Sequence, residues 1–273
     1  MKIKAAGLSD TGVKRDHNED AIAMDDSIGL YLVADGMGGH LAGEVASNVA
    51  VKIIQKNVNY WITNNTSEDN IFDFPDSTLS RRGNYILSSI KLANRVIHEM
   101  AKEYEEYKGM GTTIVALSVM PSTVIAANAG DSRIYLIREN TIETLSKEHS
   151  LVSEQLEMGL ISKEEAETSP LRHMLTRNLG SLDTVNADVF EIEPMNNDRF
   201  LLCTDGLTDL VSDDEIFEII KNGDDPEDLC QQLVSEANKR GAHDNVTVSL
   251  ILADEIDDER RGIIKKLRYL FKK

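Results

Sequence analysis

Carboxylates recur in this chain where apolar runs begin or end. Asp35 closes the apolar run 30–34 and is followed by three glycines within four residues, VADGMGGH. Asp131 sits in AGDSR between two apolar runs, Asp205 closes LLCTDG and Asp244 opens DNVTVSL. Glu19 and Asp20 follow Arg15 and Asn18 in RDHNED, at the head of another run. Singly, each acid reads as a solvated turn residue or a helix N-cap. Five such places together point to a set of oxygen ligands. With no cysteine cluster or paired histidine beside them, such ligands favour a hard cation, Mg2+ or Mn2+, over zinc. The glycines after Asp35 suit either reading, because they let a strand reverse and also let backbone carbonyls approach an ion. Other ligand motifs are missing. The spacing fails G-x-G-x-x-G at Leu41, and neither a G-x-x-x-x-G-K-[ST] loop nor a D-x-[DN]-x-[DN]-G-x5-E loop occurs.

To gather these acids, strands must end on a common edge. Strand-like runs lie at 3–8, 21–24, 30–34, 112–119, 124–128, 134–137, 200–204 and 246–252. Several connections are too short for helical crossovers, which predicts antiparallel pairing. One long helix is marked by Val45, Val49, Ala50, Ile53 and Ile54 on one face. A second carries Ile86, Ile90, Ala93, Ile97, Met100 and Tyr104 at steps of four and three. Two more helices, 213–221 and 226–240, precede the last strand. Helices in two pairs with strands between them predict an α+β fold, helices outside and two antiparallel sheets inside. Residues 57–82 are polar and are expected to form a surface loop. Residues 146–180 mix short helical pieces, too ordered for a linker and too polar for a core.

The chain of 273 residues can bury an ordinary core, and no domain boundary or repeat shows in it. Its 29 Lys and Arg against 47 Asp and Glu give a net charge of −18, which disfavours nucleic acid as a substrate. The two cysteines, Cys203 and Cys230, form neither a disulfide framework nor a cysteine metal site, and a reducing, cytoplasmic setting is expected. No run approaches eighteen apolar residues, so neither a spanning segment nor a standard export signal is expected. The tail, RRGIIKKLRYLFKK, carries seven bases and no acid, with its apolar residues on one helical stripe. Docking on its own acidic body, or plain solvation, is expected ahead of membrane-surface contact.

RDHNED, VADGMGGH, GMGTT, AGDSR, CTDGL and HDNVTV, in this order from Arg15 to Thr247, resemble the metal-dependent serine/threonine protein phosphatases of type 2C, in their bacterial form. The segment HSLVSEQLEMGLISKEEAETSPLRHMLTRNLG resembles the flap that bacterial members carry beside the active site. The resemblance implies a four-layer α/β/β/α sandwich, two central antiparallel sheets flanked by pairs of antiparallel helices. A catalytic domain is then expected over 1–254, with its flap at about 146–180 and a charged tail at 255–273.

The resemblance also implies roles. Asp35 bridges two Mn2+ or Mg2+ ions, with Glu19 and the carbonyl of Gly36 completing one and Asp205 and Asp244 the other. Asp131, with Asp205, holds a third and weaker ion. A water between the central ions attacks phosphoserine or phosphothreonine in line, without a phosphoenzyme, while Arg15 grips the phosphate through its guanidinium fork. Many members outside the bacterial branch have a histidine at the place of Met37 as proton donor to the leaving alkoxide. Methionine cannot donate, so His40 joins Arg15 and Asp35 as the expected catalytic set; a capping role for His40, with metal-bound water as donor, is the alternative. Phosphoproteins and an opposing serine/threonine kinase are the partners implied, and a monomer is expected. The alternative function is a catalytically silent, metal-binding module that docks phosphoproteins.

Overall fold

A computed structural model describes residues 2–38 and 41–254. His40 and the tail from 255 therefore lie outside the described residues. One sheet runs in the order β2 (Asp20–Asp25), β3 (Leu30–Met37), β5 (Ile114–Met120), β6 (Thr123–Ala129) and β9 (Asp188–Ile192), with the short β4 (Gly111–Thr112) beside the end of β3. The other runs β1 (Lys2–Asp10), β11 (Val246–Asp254), β10 (Asp198–Cys203), β7 (Arg133–Arg138) and β8 (Thr141–Thr144). All named pairings are antiparallel. Helices α1 (Ala42–Thr63) and α2 (Arg81–Glu103) cover the first sheet, and α6 (Asp213–Ile220) and α7 (Pro226–Lys239) cover the second. This is the expected α+β sandwich of two sheets between helix pairs.

The strand period of two explains the layers. Leu30, Leu32 and Ala34 of β3 pack toward α1 and α2, while Tyr31 and Val33 point between the sheets. In β10, Phe200 and Leu202 enter that same middle layer, and Leu201 and Cys203 face α6 and α7. Both faces of these strands are covered, so they read as unbroken apolar runs rather than alternating ones. Small residues start α1: Ala42, Gly43, Ala46 and Ala50 are buried and let the helix sit close on β3. Ser80 caps α2, its hydroxyl accepting the Gly83 N–H at 3.1 Å.

Two expectations are corrected. Residues 57–82 are not one loop, because α1 continues through Thr63 with Val58 and Trp61 buried; the Trp61 ring lies 5.8 Å from that of Tyr85 on α2. Residues 57–63 were grouped with the polar stretch that follows, although Val58, Trp61 and Ile62 carry the apolar face of α1 onward. Strands β8 and β9 were also not anticipated, since both are short edge strands, β8 mostly exposed and β9 half-buried.

The topology sends the chemistry to one edge. β2 begins where β3 ends, with Asp20 paired in register with Asp35. Asp131 occupies the turn from β6 to β7, Asp205 follows β10 and opens the short helix α5 (Asp205–Thr208), and Asp244 lies two residues before β11.

Candidate metal centre

A cleft of about 310 Å3 at that edge is lined by Arg15, Glu19, Asp35, Gly36, Asp131, Asp205 and Asp244, with Met37, Gly38, Thr113, His173 and Leu175 completing its wall. Every expected ligand is therefore in one place. His40 lies outside the described residues, so its position is not part of this geometry.

The backbone under these acids is tightly held. The Asp35 carbonyl accepts from Thr113 N–H at 2.8 Å and from the Thr112 hydroxyl at 2.8 Å, and the Asp35 N–H donates to Thr113 Oγ1 at 3.0 Å. Gly36 N–H donates to the Glu19 carbonyl at 3.1 Å, which also accepts from Ser47 Oγ at 2.6 Å. A Cβ added to Gly36 would stand 2.1 Å from the Gly43 carbonyl oxygen and 2.5 Å from that of Glu19. Glycine is thus required here by the close approach of α1 and the Glu19 loop, a reason the sequence does not show. Asn245 ties the opposite wall: its Oδ1 accepts from Glu19 N–H at 2.8 Å, and its Nδ2 donates to the carbonyls of Thr11 and His17, each at 2.9 Å.

Electrostatically the acids of the cleft outnumber its one arginine. Burial, followed by repulsion from Asp20, Asp205, Asp131 and Asp244, holds the Asp35 carboxyl well above the usual range. Burial likewise pushes Asp20 and Asp131 up to about 7 and Asp205 up to about 6, and raises Glu19. Arg15 is the cation nearest at hand, with one guanidinium nitrogen 2.7 Å from Asp244 Oδ2. One carboxylate oxygen each of Asp20 and Asp205 is buried without a hydrogen-bond partner. A cluster of hard oxygen donors with unmet acceptors fits divalent cations, whose charge removes the repulsion.

Sequence reasoning gave no role to several residues here. Asp20 stands beside the expected ligand Glu19, and only the β2 to β3 register reveals that it faces Asp35, its Oδ2 accepting from Thr204 Oγ1 at 3.0 Å. His173 comes from the flap, its Nδ1 3.9 Å from Asp205 Oδ2, and ligand atoms of His173, Asp205 and Asp209 lie within 4.8 Å of one another. Nothing in its spacing relates it to the acids. Asn245 was visible inside HDNVTV but without a partner to identify it.

The profile of the family described as Protein phosphatase 2C matches residues 5–246. The chain is 36% identical over 249 residues to the serine/threonine phosphatase stp of Listeria welshimeri, covering 89% of this chain and 93% of that protein. It is 34% identical over 255 residues to the protein phosphatase PhpP of Streptococcus pneumoniae, covering 92% and 98%. Among solved structures, the serine/threonine phosphatase of S. agalactiae superposes with a TM-score of 0.80 at 32% identity, over 93% of this chain and all of that one. The catalytic domain of the phosphatase PstP, solved with two manganese ions, gives a TM-score of 0.77 at 29% identity, over 93% and 99%.

Proposed function

The chain belongs to the protein phosphatase 2C family and is a metal-dependent serine/threonine protein phosphatase acting on phosphoproteins, and from that premise we propose which of its residues divide the work and which ions they take. Asp35, Glu19 and the Gly36 carbonyl would hold one divalent ion, and Asp35, Asp205 and Asp244 a second. Asp131 with Asp205 would hold a third. Mn2+ is the ion we favour, in keeping with the two manganese ions of the PstP domain. Divalent ions there would supply the Lewis acidity that activates water for in-line attack on phosphorus and offsets phosphoryl charge.

The remaining roles fall to the chain itself. Arg15 is half-exposed at the cleft mouth and spends one nitrogen on Asp244. A guanidinium has five N–H donors in a fixed fork, so it can keep that ion pair and still grip a phosphate. The Asp244 contact fixes the fork's direction without neutralising the site. Met37 forms part of the wall, its sulfur accepting from Asn178 Nδ2 at 3.3 Å, and can give no proton. Protonation of the leaving alkoxide is assigned in this reading to His40, on the sequence alone. The single observation that carries the reading is the convergence of Glu19, Asp35, Asp131, Asp205 and Asp244 on one cleft around Arg15. With the ligand set whole, the silent docking module has no observation in its favour. A cytoplasmic place opposite a serine/threonine kinase is part of the same proposal, supported by two buried free thiols, Cys203 and Cys230. The test is hydrolysis of a phosphothreonine peptide by EDTA-stripped protein. Turnover restored by Mn2+ or Mg2+ supports the assignment, and metal-independent turnover sinks it.

A further inference from the structure

His149 lies where the flap joins the body, and the roles above assign it nothing. Its side chain is 1% exposed. The residue it touches, Gly130, precedes Asp131 and has φ +118, and an added Cβ there would meet Thr113 Cβ at 2.6 Å. The turn that delivers Asp131 is therefore open only to glycine. Both backbone polar groups of Gly130 end on His149: its N–H donates to His149 Nδ1 at 3.2 Å, and its carbonyl accepts the His149 N–H at 3.0 Å.

A ring nitrogen that accepts an amide proton carries none of its own. Burial also holds this imidazole below its ordinary pKa, so the ring is neutral with its proton on Nε2. That proton faces Asp188 Oδ2 on β9 at 3.1 Å. Arg177 Nη1, 3.3 Å from Asp188 Oδ1, is a second donor to the same carboxylate; its 3.3 Å approach to Nε2 brings two donors together and is no hydrogen bond. The His149 carbonyl accepts the Thr176 N–H at 2.9 Å, and Leu151 N–H donates to the Met174 carbonyl at 2.8 Å, closing the base of the flap. One imidazole thus joins three pieces of chain: the Asp131 turn, β9 and the flap base.

We propose that His149 is a positioning residue that clamps the Gly130–Asp131 turn to the base of the flap, its Nδ1 holding the turn and its Nε2 holding β9. The consequence for cation binding rests on the reading of Asp131 as a third-ion ligand; the clamp itself does not.

Two conservative replacements separate the halves. His149→Asn keeps an acceptor near the place of Nδ1 but cannot reach Asp188. His149→Gln keeps the reach toward Asp188 but moves the acceptor away from Gly130. Amide hydrogen exchange of the metal-free full chain is expected to leave Gly130 within about threefold of wild type in His149→Asn, and to quicken it roughly tenfold or more in His149→Gln and His149→Ala. In calorimetric Mn2+ titration, the binding step missing from Asp131→Ala should persist in His149→Asn and weaken in His149→Gln. Proton–nitrogen correlation spectra of the unaltered protein should show His149 protonated on Nε2 alone, a readout that needs no variant to fold. Equal Gly130 exchange in the Asn and Gln variants, or a proton on Nδ1, would overturn the proposal. If the exchange pattern holds while wild type shows no Asp131-dependent Mn2+ step, the clamp stands and the third-ion reading falls.

Discussion

Arg15 shows what a single residue must do here. Its fork is divided between Asp244, at 2.7 Å, and the open cleft. Arg15→Lys keeps the charge but cannot serve both partners in a fixed plane. Loss of one charge-assisted hydrogen bond is worth about 1.5–3 kcal/mol, so kcat/KM for a phosphothreonine peptide should fall by roughly 10- to 100-fold. Steady-state kinetics check this, and an unchanged kcat/KM would move Arg15 away from the phosphate. At this scale the acids that line the cleft were legible because each ends or opens an apolar run, and a strand terminus is where a sheet presents side chains to a cleft. Asp20 was not legible, since cross-strand register decides what it faces. Nor was the reason for Gly36, whose neighbour is a helix carbonyl seven residues further on.

Among the elements, the flap is distinguished by what it exposes. Helix α3 (Leu151–Glu157) sets Leu156 in the wall of a groove that runs on from the cleft, and the turn between it and α4 (Lys163–Thr168) leaves Met158 and Leu160 largely in solvent. A surface carried on a rigid scaffold next to a fixed reaction centre selects substrates more than it performs chemistry. Replacing residues 154–167 with a short Gly-Ser linker should therefore cost phosphopeptide hydrolysis at least about tenfold more than hydrolysis of p-nitrophenyl phosphate. Parallel assays of the two substrates decide it, and equal losses contradict a selectivity role. The long helices were readable from periodicity because their apolar faces repeat over several turns. The last turns of α1 escaped because Val58, Trp61 and Ile62 run straight into a long polar stretch, and β8 and β9 escaped because they are short strands at the edges of their sheets.

For the whole molecule, charge is the governing quantity. Asp20 and Asp131 near pKa 7 and Asp205 near 6 keep protons in the folded state that the unfolded chain, near 3.8, has already lost. Between about pH 4 and 7 the folded state binds more protons, so metal-free stability falls as pH rises through that window. In EDTA the Tm should be higher at pH 5.5 than at pH 7.5 by roughly 5 °C, and saturating Mn2+ should abolish or reverse the difference. A metal-free Tm that rises with pH would show the carboxyls are not so strained. The basic tail lies outside the described residues. A chain of net charge −18 is repelled by anionic lipid, so neither the full chain nor one ending at Glu259 should sediment with anionic liposomes at low salt. Sedimentation of the full chain alone would make the tail an anchor. The layering was legible in advance because helices arrive in two pairs around apolar strands, whereas the closeness of the acids depends on how two sheets align their edges.

Asp35 is the one carboxylate that two cations would share. Turnover of a phosphothreonine peptide by Asp35→Asn, followed across a Mn2+ titration to saturation, tests it most directly. The shared-ligand arrangement predicts a loss of roughly 1,000-fold or more that added Mn2+ does not recover, with the thermal transition still cooperative. Near wild-type turnover at saturating Mn2+ would contradict it.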